Sequence, residues 1–313
     1  MPRPRILLHS TDVLFIFFWG LLSLICLALH SRIPLWRLII SVNAGAILML
    51  LVIAYASRTS GSKVLRWIHD WSAFVFVLFT YKELYFIIGP IHHYRDYDPL
   101  LIALDRLIFR VDPTQWMARL AHPLMTELLQ IAYSLFYVLF IAVGLELYRQ
   151  KDPSQFSYLR FTVVYGFFIS YLAYFALPAV GPRFTLHDFS RIDSELPGLL
   201  FAKPLRWFVN YFESIKPGMP NSVALSKAQR DVFPSGHTML TLVTIVLAYQ
   251  YRLKIRPYVL WVGILLIIAT VYLRYHYAVD LLAGAVLAVL CLLTSKKLYP
   301  MAERLAGSVT PAA

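Results

Sequence analysis

The chain has 313 residues, of which 59% are hydrophobic and 15% are charged, and its mean hydropathy is +0.64. A soluble domain is usually about 45–50% apolar and about one quarter charged, so this composition excludes an ordinary soluble protein and predicts an integral membrane protein. The formal net charge of +12 comes largely from Lys and Arg at the ends of apolar runs, which is the pattern of topology signals and not of a nucleic-acid-binding surface.

Eight apolar runs are each long enough to cross a bilayer, which takes about 17–25 residues. They cover 13–30, 35–57, 71–91, 124–148, 157–180, 234–252, 257–274 and 277–295. Arg3 and Arg5 precede the first run as in a signal peptide, but the run is long for a signal core and we expect it to be retained. If the helices alternate, the basic short loops all fall on one side, which the positive-inside rule makes cytoplasmic.

The predicted fold class is therefore all-α, a polytopic membrane helical bundle with about eight transmembrane helices. Two outer loops carry apolar residues spaced as in interfacial amphipathic helices, at 97–122 and 203–215, which either cover helix ends or admit lipid. We expect an N-terminal three-span region with an interfacial loop at 1–122, a catalytic five-span core at 123–300 and a short cytoplasmic tail at 301–313.

The sequence Pro234-Ser-Gly-His237 opens the sixth run, at its predicted outer end. Proline suits the first turn of a helix, and the free N–H groups there can bind an anion. Ser235 adds a hydroxyl, and Gly236 lets the backbone approach an oxyanion closely. His237 follows directly and has the side chain best suited to acid–base transfer near neutral pH. A helix cap with an unrelated histidine is the alternative.

A second polar group follows the seventh run, at the same predicted membrane face. His276 and Asp280 are four residues apart, which places them on one helix face. The carboxylate can then hold one imidazole nitrogen and leave the other free as a nucleophile. A purely structural His–Asp contact is the alternative, but the first motif at matching depth favours catalysis.

Arginine is the residue type expected to bind phosphate, because its guanidinium binds phosphate oxygens in pairs. Arg274 precedes His276 by two residues, and Arg183 follows Gly181-Pro182 after the fifth run. Either side chain could instead extend to lipid headgroups. Arg230 and Lys227 are further candidates for the same phosphate site.

No metal and no other cofactor is expected. His92, His93, Asp96 and Asp98 are close in sequence but lack the spacing of zinc ligands. A metal held by the two motif histidines would leave the Ser-Gly turn without a role.

The motifs Phe-Pro-Ser-Gly-His237 and Tyr-Leu-Arg-Tyr-His-Tyr-Ala-Val-Asp280 resemble those of the type 2 phosphatidic acid phosphatase superfamily, which includes lipid phosphatases and vanadium haloperoxidases. The resemblance covers roughly 160–295. Gly-Pro-Arg183 and His-Tyr-x-Val-Asp resemble the inositol phosphorylceramide synthase branch, as do Tyr85, Asp98, Asp105 and Phe109 more loosely.

The resemblance implies a helical-bundle core, a phosphohistidine intermediate and no obligatory metal. His276 would be the nucleophile, Asp280 its orienting partner and His237 the acid and base, while Ser235 and Gly236 would hold phosphate oxygens.

Two departures favour a transferase-like branch over a simple phosphatase. Ala269 and Thr270 stand where phosphatases of the superfamily carry a Ser-Arg pair, and Arg274 lies one turn further along the same helix face. The lysine and Arg-Pro pair of the first phosphatase motif are also absent, and Arg183 is the residue expected to replace them.

The expected function is cleavage of a lipid phosphoester at the outer, extracytoplasmic or luminal, face. The phosphoryl group or phospho-headgroup passes either to an alcohol, as in an inositolphosphotransferase, or to water, as in a lipid phosphate or prenyl diphosphate phosphatase. The expected partners are a phospholipid, sphingolipid or prenyl phosphate substrate and the bilayer, with no nucleic acid. A bacterial inner membrane is favoured, and a non-catalytic lipid transporter or scaffold is the competing class.

Overall fold

A computed structural model describes residues 8–150 and 152–307, and within these residues the regular secondary structure is helical, without strands. The helices are α1 (Ser10–Ala28), α2 (Trp36–Thr59), α3 (Lys63–Ile91), α4 (Asp98–Phe109), α5 (Pro113–Ala118), α6 (Pro123–Ser134), α7 (Phe136–Arg149), α8 (Pro153–Tyr174), α9 (Pro182–Thr185), α10 (Ile192–Glu195), α11 (Ala202–Tyr211), α12 (Asn221–Lys227), α13 (Gly236–Gln250), α14 (Arg256–Tyr272) and α15 (Ala278–Leu305), with a 3-10 turn at Phe189–Arg191. The all-α class is confirmed. Arg3, Arg5 and residues 308–313 of the predicted tail lie outside the described residues.

Five of the described helices are long and apolar enough to cross a membrane, namely α1, α2, α3, α8 and α15. The pair α6 and α7 makes a sixth span if it is counted as one broken helix. The runs predicted at 234–252 and 257–274 form α13 and α14, with 15 and 17 residues. Because a span needs about 20 residues, these helices are short for it. The helices support a multi-pass membrane protein, but the predicted count of about eight spans is not confirmed.

The break between α6 and α7 lies at Leu135, where the two axes differ by 51°. Just before it, the hydroxyl of Ser134 donates a hydrogen bond of 2.8 Å to the carbonyl of Gln130. A hydroxyl that bonds to the preceding helical turn often bends a helix slightly. Thr80 and Thr244 make the same bond within the continuous helices α3 and α13, so this bond alone does not account for the break. The run of apolar residues continues through this point, so hydropathy alone predicts one straight span.

The chain divides into two compact units, and the first is formed by the described residues of 1–94, 152–169 and 290–313. Its core includes Phe15, Phe18 and Trp19 of α1, each at most 1% exposed. The indole N–H of Trp19 donates to the hydroxyl of Thr80 at 2.9 Å. A buried indole N–H needs such an acceptor, so this bond fixes α1 against α3.

A buried polar chain also links three helices of this first unit. The Nε2 of His69 in α3 lies 2.8 Å from a carboxylate oxygen of Asp12 in α1, and its Nδ1 lies 3.2 Å from the hydroxyl of Ser57 in α2. All three residues are buried. Buried polar groups that find partners in this way hold helices in one register.

The second unit comprises residues 95–151 and 170–289. One of its buried apolar clusters contains Tyr133, Phe184, Tyr272 and Tyr275, and another contains Leu101, Ala179, Val232, Tyr277 and Val279. The turn that joins α14 to α15 contributes Tyr275 to the first cluster and Tyr277 to the second. His276 lies between these two tyrosines in the chain and is itself buried. The predicted division at 122 and 300 stays a prediction.

Carboxylates cap several helices of this unit. The free N–H groups at a helix start need acceptors, because they have no partner within the helix. Glu127 accepts from the N–H groups of residues 199–202 at the start of α11, and Glu146 accepts from Lys254 and Ile255 ahead of α14. These acidic residues near the ends of an apolar run therefore hold neighbouring segments in place.

Candidate active site

His237 and His276 lie side by side in the second unit. His237 is in the first turn of α13, and His276 is in the turn between α14 and α15. The Nε2 of His276 lies 3.3 Å from the Nδ1 of His237, and the ring centroids are 5.4 Å apart. The structure thus brings together the two histidines that the motifs single out, although 39 residues separate them.

The Nδ1 of His276 faces two acceptors. The carbonyl of Val232 lies 2.9 Å away and the Oδ2 of Asp280 lies 3.3 Å away, so this nitrogen carries the proton in the neutral ring. The other nitrogen, Nε2, then carries the lone pair, which faces the Nδ1 of His237. Burial lowers the pKa of His276 well below its usual range, which keeps the imidazole neutral.

Asp280 is fully buried and has more than one role. Its Oδ2 accepts the N–H of Tyr277 at 2.8 Å, and its carbonyl accepts the N–H of Ser235 at 3.0 Å. The sequence predicts Asp280 as the orienting partner of His276, but the carbonyl of Val232 is the closer acceptor. Asp280 also connects the turn before α15 to the turn before α13.

We therefore expect Asp280→Asn to lower kcat/KM by about 10–100-fold, the effect typical of a partner that orients a reactive histidine without being its only support. The asparagine removes the charge while the carbonyl of Val232 still holds Nδ1. Steady-state kinetics on a soluble phosphoester would measure this, with thermal unfolding as a check on the fold. A loss as large as that of a His276 variant would mean that Asp280 alone fixes the tautomer.

Ser235 and Gly236 are both tied into the start of α13. The hydroxyl of Ser235 accepts the N–H of Thr238 at 3.2 Å and so caps the helix. A Cβ added to Gly236 would lie 2.6 Å from the hydroxyl of Tyr174, so a larger residue would require that side chain of α8 to shift. The predicted phosphate contacts of these two residues stay predictions, beside structural roles that the geometry explains.

Arg183 is buried in α9, next to the histidine pair. Its Nη1 donates to the side-chain oxygen of Asn210 at 2.9 Å, and its Nη2 donates to Glu213 at 2.6 Å. The guanidinium also lies over the ring of Tyr275, 4.8 Å from its centroid. Its Nε is buried without a hydrogen-bond partner among the described residues. An unpaired buried donor is costly, and an anionic ligand oxygen would satisfy it.

Arg274, in the turn between α14 and α15, has a similar arrangement. Its Nη1 donates to Glu195 at 2.5 Å, while its buried Nε has no partner within the described part of the chain. Its backbone has a φ of +69°, and its carbonyl accepts the N–H of Arg183 at 3.0 Å. A positive φ in a residue other than glycine is uncommon and is retained where the surroundings enforce it. The two arginines are thus joined to one another through the backbone.

The other predicted phosphate ligands have different surroundings. Arg230 binds the carboxylate of Asp96 through two nitrogens, at 2.6 and 3.2 Å. Lys227 ends α12 and is half-buried. The pairing with Asp96 gives Arg230 a structural role, and it also shows that Asp96, one of four acidic and histidine residues near 92–98, serves an ion pair.

Aromatic rings enclose His237, and the sequence analysis did not single them out. Tyr133 of α6 stacks on His237 with centroids 4.8 Å apart and on Tyr275 at 4.4 Å, and Phe136 lies 4.4 Å from the same histidine. Tyr275 could have been found, since it stands next to His276 in the motif. Nothing in the local pattern near Tyr133 marks it.

Two buried aspartates of α4, seven residues apart, bind the turn ahead of α9 and the turn ahead of α15. Asp98 accepts the N–H groups of Val180 and Gly181 at 3.0 and 2.8 Å, and the hydroxyl of Tyr277 at 2.7 Å. Asp105 accepts the N–H groups of Ala278 and Val279 at 3.0 and 2.7 Å. The sequence connects these aspartates to the family only loosely. Two acidic residues on one face of an amphipathic helix were the available signal.

Asp105→Ala should lower the free energy of unfolding by about 1.5–3 kcal/mol, the cost of losing hydrogen bonds to a charged group. Its removal leaves two N–H groups at the start of α15 without their acceptor. Thermal or denaturant unfolding in detergent would measure the change. The control is Asp112→Ala, whose carboxylate pairs with the exposed Arg106 and caps no backbone N–H group, so a smaller loss is expected. Equal effects of the two variants would contradict the assignment.

Comparison with known proteins finds a family whose model covers the residues of this site. The family model described as the PAP2 superfamily matches residues 100–294. A protein of Dictyostelium discoideum named as a PA-phosphatase related-family protein is 27% identical over 205 residues, which are 58% of this chain and 33% of that protein. The match thus spans about a third of the length of that relative. No solved structure matches the chain.

Proposed function

We propose that this chain, which belongs to the PAP2 superfamily, is a membrane enzyme that cleaves a lipid phosphoester through a phosphohistidine intermediate. The observation that carries the proposal is the contact of 3.3 Å between the Nε2 of His276 and the Nδ1 of His237, with the opposite nitrogen of His276 held by Val232 and Asp280. A neutral imidazole with its lone pair fixed in direction is a nucleophile, and a second imidazole beside it can carry the proton.

The reaction then has two steps. The Nε2 of His276 forms a bond to phosphorus while the bond from phosphorus to the alcohol oxygen breaks. His237 enters this step as the imidazolium, gives that oxygen its proton and becomes neutral. Next, His237 takes a proton from an incoming hydroxyl whose oxygen bonds to phosphorus, and the bond from His276 to phosphorus breaks. The phosphorus lies where the two imidazoles now meet, so substrate binding requires the ring of His237 to move aside.

The phosphate is bound by the two buried arginines. The Nε groups of Arg183 and Arg274 have no partner among the described residues. Glu213 holds the Nη2 of Arg183, and Glu195 holds the Nη1 of Arg274. Donors that are already held in position stabilise the charge on transferring phosphoryl oxygens without reorganising. Ser235 and Gly236 are proposed to add contacts from the start of α13.

Transfer to an alcohol is the finer form of this proposal, with inositolphosphotransferase-like exchange of a headgroup onto a ceramide-like acceptor. Its support is the site's departure from the phosphatase pattern. Thr270, at the position of the expected arginine, is buried and donates its hydroxyl to the carbonyl of Ile267 at 2.7 Å. The relative in Dictyostelium, named as phosphatase-related, favours water as the acceptor instead.

Location is part of the same proposal. We place the site at the outer face of the membrane, extracytoplasmic or luminal, from the positive-inside pattern of the short loops. A bacterial inner membrane is favoured by the short loops and the absence of a structural disulfide, since Cys26 and Cys291 are both free and buried. Labelling of a single cysteine introduced at the exposed Leu200 from each side of sealed vesicles would test the orientation.

The reaction class is tested with purified protein in lipid and labelled phosphatidate, phosphatidylinositol or a prenyl diphosphate, each with and without ceramide or diacylglycerol. Free phosphate from phosphatidate or a prenyl diphosphate supports the phosphatase, and a new labelled lipid that needs the acceptor supports the transferase. No turnover of any of these lipids, with lipid binding unchanged in His276→Ala and His237→Ala, would favour a non-catalytic transporter or scaffold.

A further inference from the structure

We propose that an apolar groove lined by the start of α15, directly after the turn that carries His276, binds a hydrocarbon chain of a phospholipid substrate while its phosphate is held at His276. The proposal rests on the function proposed above and adds the part of the lipid that the site recognises. The groove has a volume of about 390 Å³. Ligand pockets usually measure about 300–1,000 Å³, so this groove has the size of a binding site for part of a lipid.

The groove lies where the segment of α4 and α5 meets α14 and α15. Phe109, Val111 and Trp116 line it on one side, and Ile268, Val271 and Leu281 line it on the other. These side chains are apolar, and hydrocarbon is the ligand that such a lining favours over water or a polar headgroup. The exposed fractions of Trp116 and Ile268 are 50% and 42%, so a chain can reach them from the surface.

The position of the groove connects it to the chemistry. Ala278 also lines it and stands two residues after His276, with its N–H held by Asp105. Val271 stands three residues before Arg274. A second groove contains Glu146, Arg149 and Lys254 and lies at the opposite end of α14. Of these two grooves, the apolar one is therefore at the end of α14 that carries the catalytic turn.

Charge around the groove fits a lipid with an anionic headgroup. Arg110 stands between Phe109 and Val111, and Arg119 follows the helix that carries Trp116, and both arginines are exposed. Basic side chains beside apolar residues extend to headgroup level and attract anionic lipids. The aromatic ring of Trp116 is also of the type enriched at the membrane interface. The apolar groove suits the hydrocarbon chain of a phospholipid, and the two arginines near it in the chain suit its anionic headgroup.

A variant that fills the groove tests the proposal. Ile268→Trp should raise KM for a long-chain phosphatidate by about 10-fold or more, which is within the discrimination that an apolar pocket provides. It should leave kcat/KM nearly unchanged for p-nitrophenyl phosphate, a phosphoester without a hydrocarbon chain. The matched control is Ile264→Trp, one turn earlier on α14, 37% exposed and not part of the lining, and this variant should behave as wild type on both substrates. Equal effects of Ile268→Trp on both substrates, or equal effects of both variants, would overturn the proposal.

A readout that does not need turnover separates this inference from the proposed function. A phosphatidate with a photoactivatable group near the end of one chain would be crosslinked to the protein and the labelled residues mapped by mass spectrometry. We expect labels on residues of the groove, such as Trp116, and their loss in Ile268→Trp but not in Ile264→Trp. Labels spread evenly over the exposed faces of the helices would overturn the groove even if hydrolysis is observed. Labels in the groove without any hydrolysis would support it while the proposed function fails.

Discussion

Replacing His276 with asparagine is expected to lower kcat by about 10⁴-fold, because the change removes a nucleophile and no neighbouring group replaces it. The side-chain amide of asparagine can still donate to the carbonyl of Val232, which accepts from Nδ1 of the native ring at 2.9 Å. The nitrogen that faces His237 is lost. The variant therefore separates the chemical role of the ring from its packing. Hydrolysis of p-nitrophenyl phosphate and of a lipid substrate would measure the effect.

A histidine outside the site provides the control for this experiment. His30 is exposed and follows α1, and His30→Asn should retain wild-type activity. The thermal unfolding of His276→Asn should remain close to that of the wild type. Activity of the His276 variant within about 10-fold of the wild type, in a folded protein, would exclude covalent catalysis by this residue, since one missing nucleophile costs far more.

His237→Asn should lower kcat by about 10²–10⁴-fold on a lipid substrate, the usual contribution of general acid–base catalysis. The effect should depend on the leaving group. A lipid alcohol is a poor leaving group and needs the proton that His237 supplies, whereas p-nitrophenolate leaves without it. We therefore expect formation of the phosphoenzyme from p-nitrophenyl phosphate to be almost unaffected in His237→Asn. His276→Asn should abolish that step for both substrates.

Rapid-quench measurement of the first turnover separates these steps. With p-nitrophenyl phosphate, the His237 variant should show a burst of p-nitrophenol followed by slow turnover, because the second step still needs a base for the incoming hydroxyl. An equal loss of the first step for both leaving groups would contradict the role of His237 as the acid. Tyr133 stacks on this ring, so a change in its packing is checked with Tyr133→Phe, which keeps both the stacked ring and His237 and should turn over both substrates as the wild type does.

The sequence predicted that His237 and His276 lie close together, because each stands at the same predicted end of an apolar run, and the structure places their ring nitrogens 3.3 Å apart. The chemistry of the residues and their spacing also predicted Asp280 and Arg183 as neighbours of that site, and the structure places Asp280 within 3.3 Å of His276. Their catalytic roles stay predictions. The short spacing between His276 and Asp280 carried the information for that pair, and the position of Arg183 after the fifth apolar run carried it for the arginine.

Long-range partners could not be predicted in the same way. Glu213 and Glu195, which fix the two arginines, are 30 and 79 residues away from them. Tyr133 reaches His237 from a different helix altogether. Such contacts depend on how the segments that connect the long helices pack against them. A single sequence gives the periodicity of each segment but not its position relative to the others.

The predicted count of about eight spans is not confirmed, for a related reason. Hydropathy records where apolar residues are but not where the helix bends, and the fourth run bends by 51° at Leu135. The sixth run ends as a helix at Gln250, and Arg252 just beyond it has a φ of +52°. Composition shows neither the bend at Leu135 nor the backbone angle of Arg252.

The central claim is that the Nε2 of His276 carries the phosphoryl group. The most direct test is to react the His237→Asn variant with labelled p-nitrophenyl phosphate, quench it in base, where phosphohistidine survives, and locate the label by mass spectrometry. We predict one phosphate per chain on His276 and none in the variant that also carries His276→Asn. Continued turnover without a phosphorylated His276, or with the phosphate on another residue, would contradict the account.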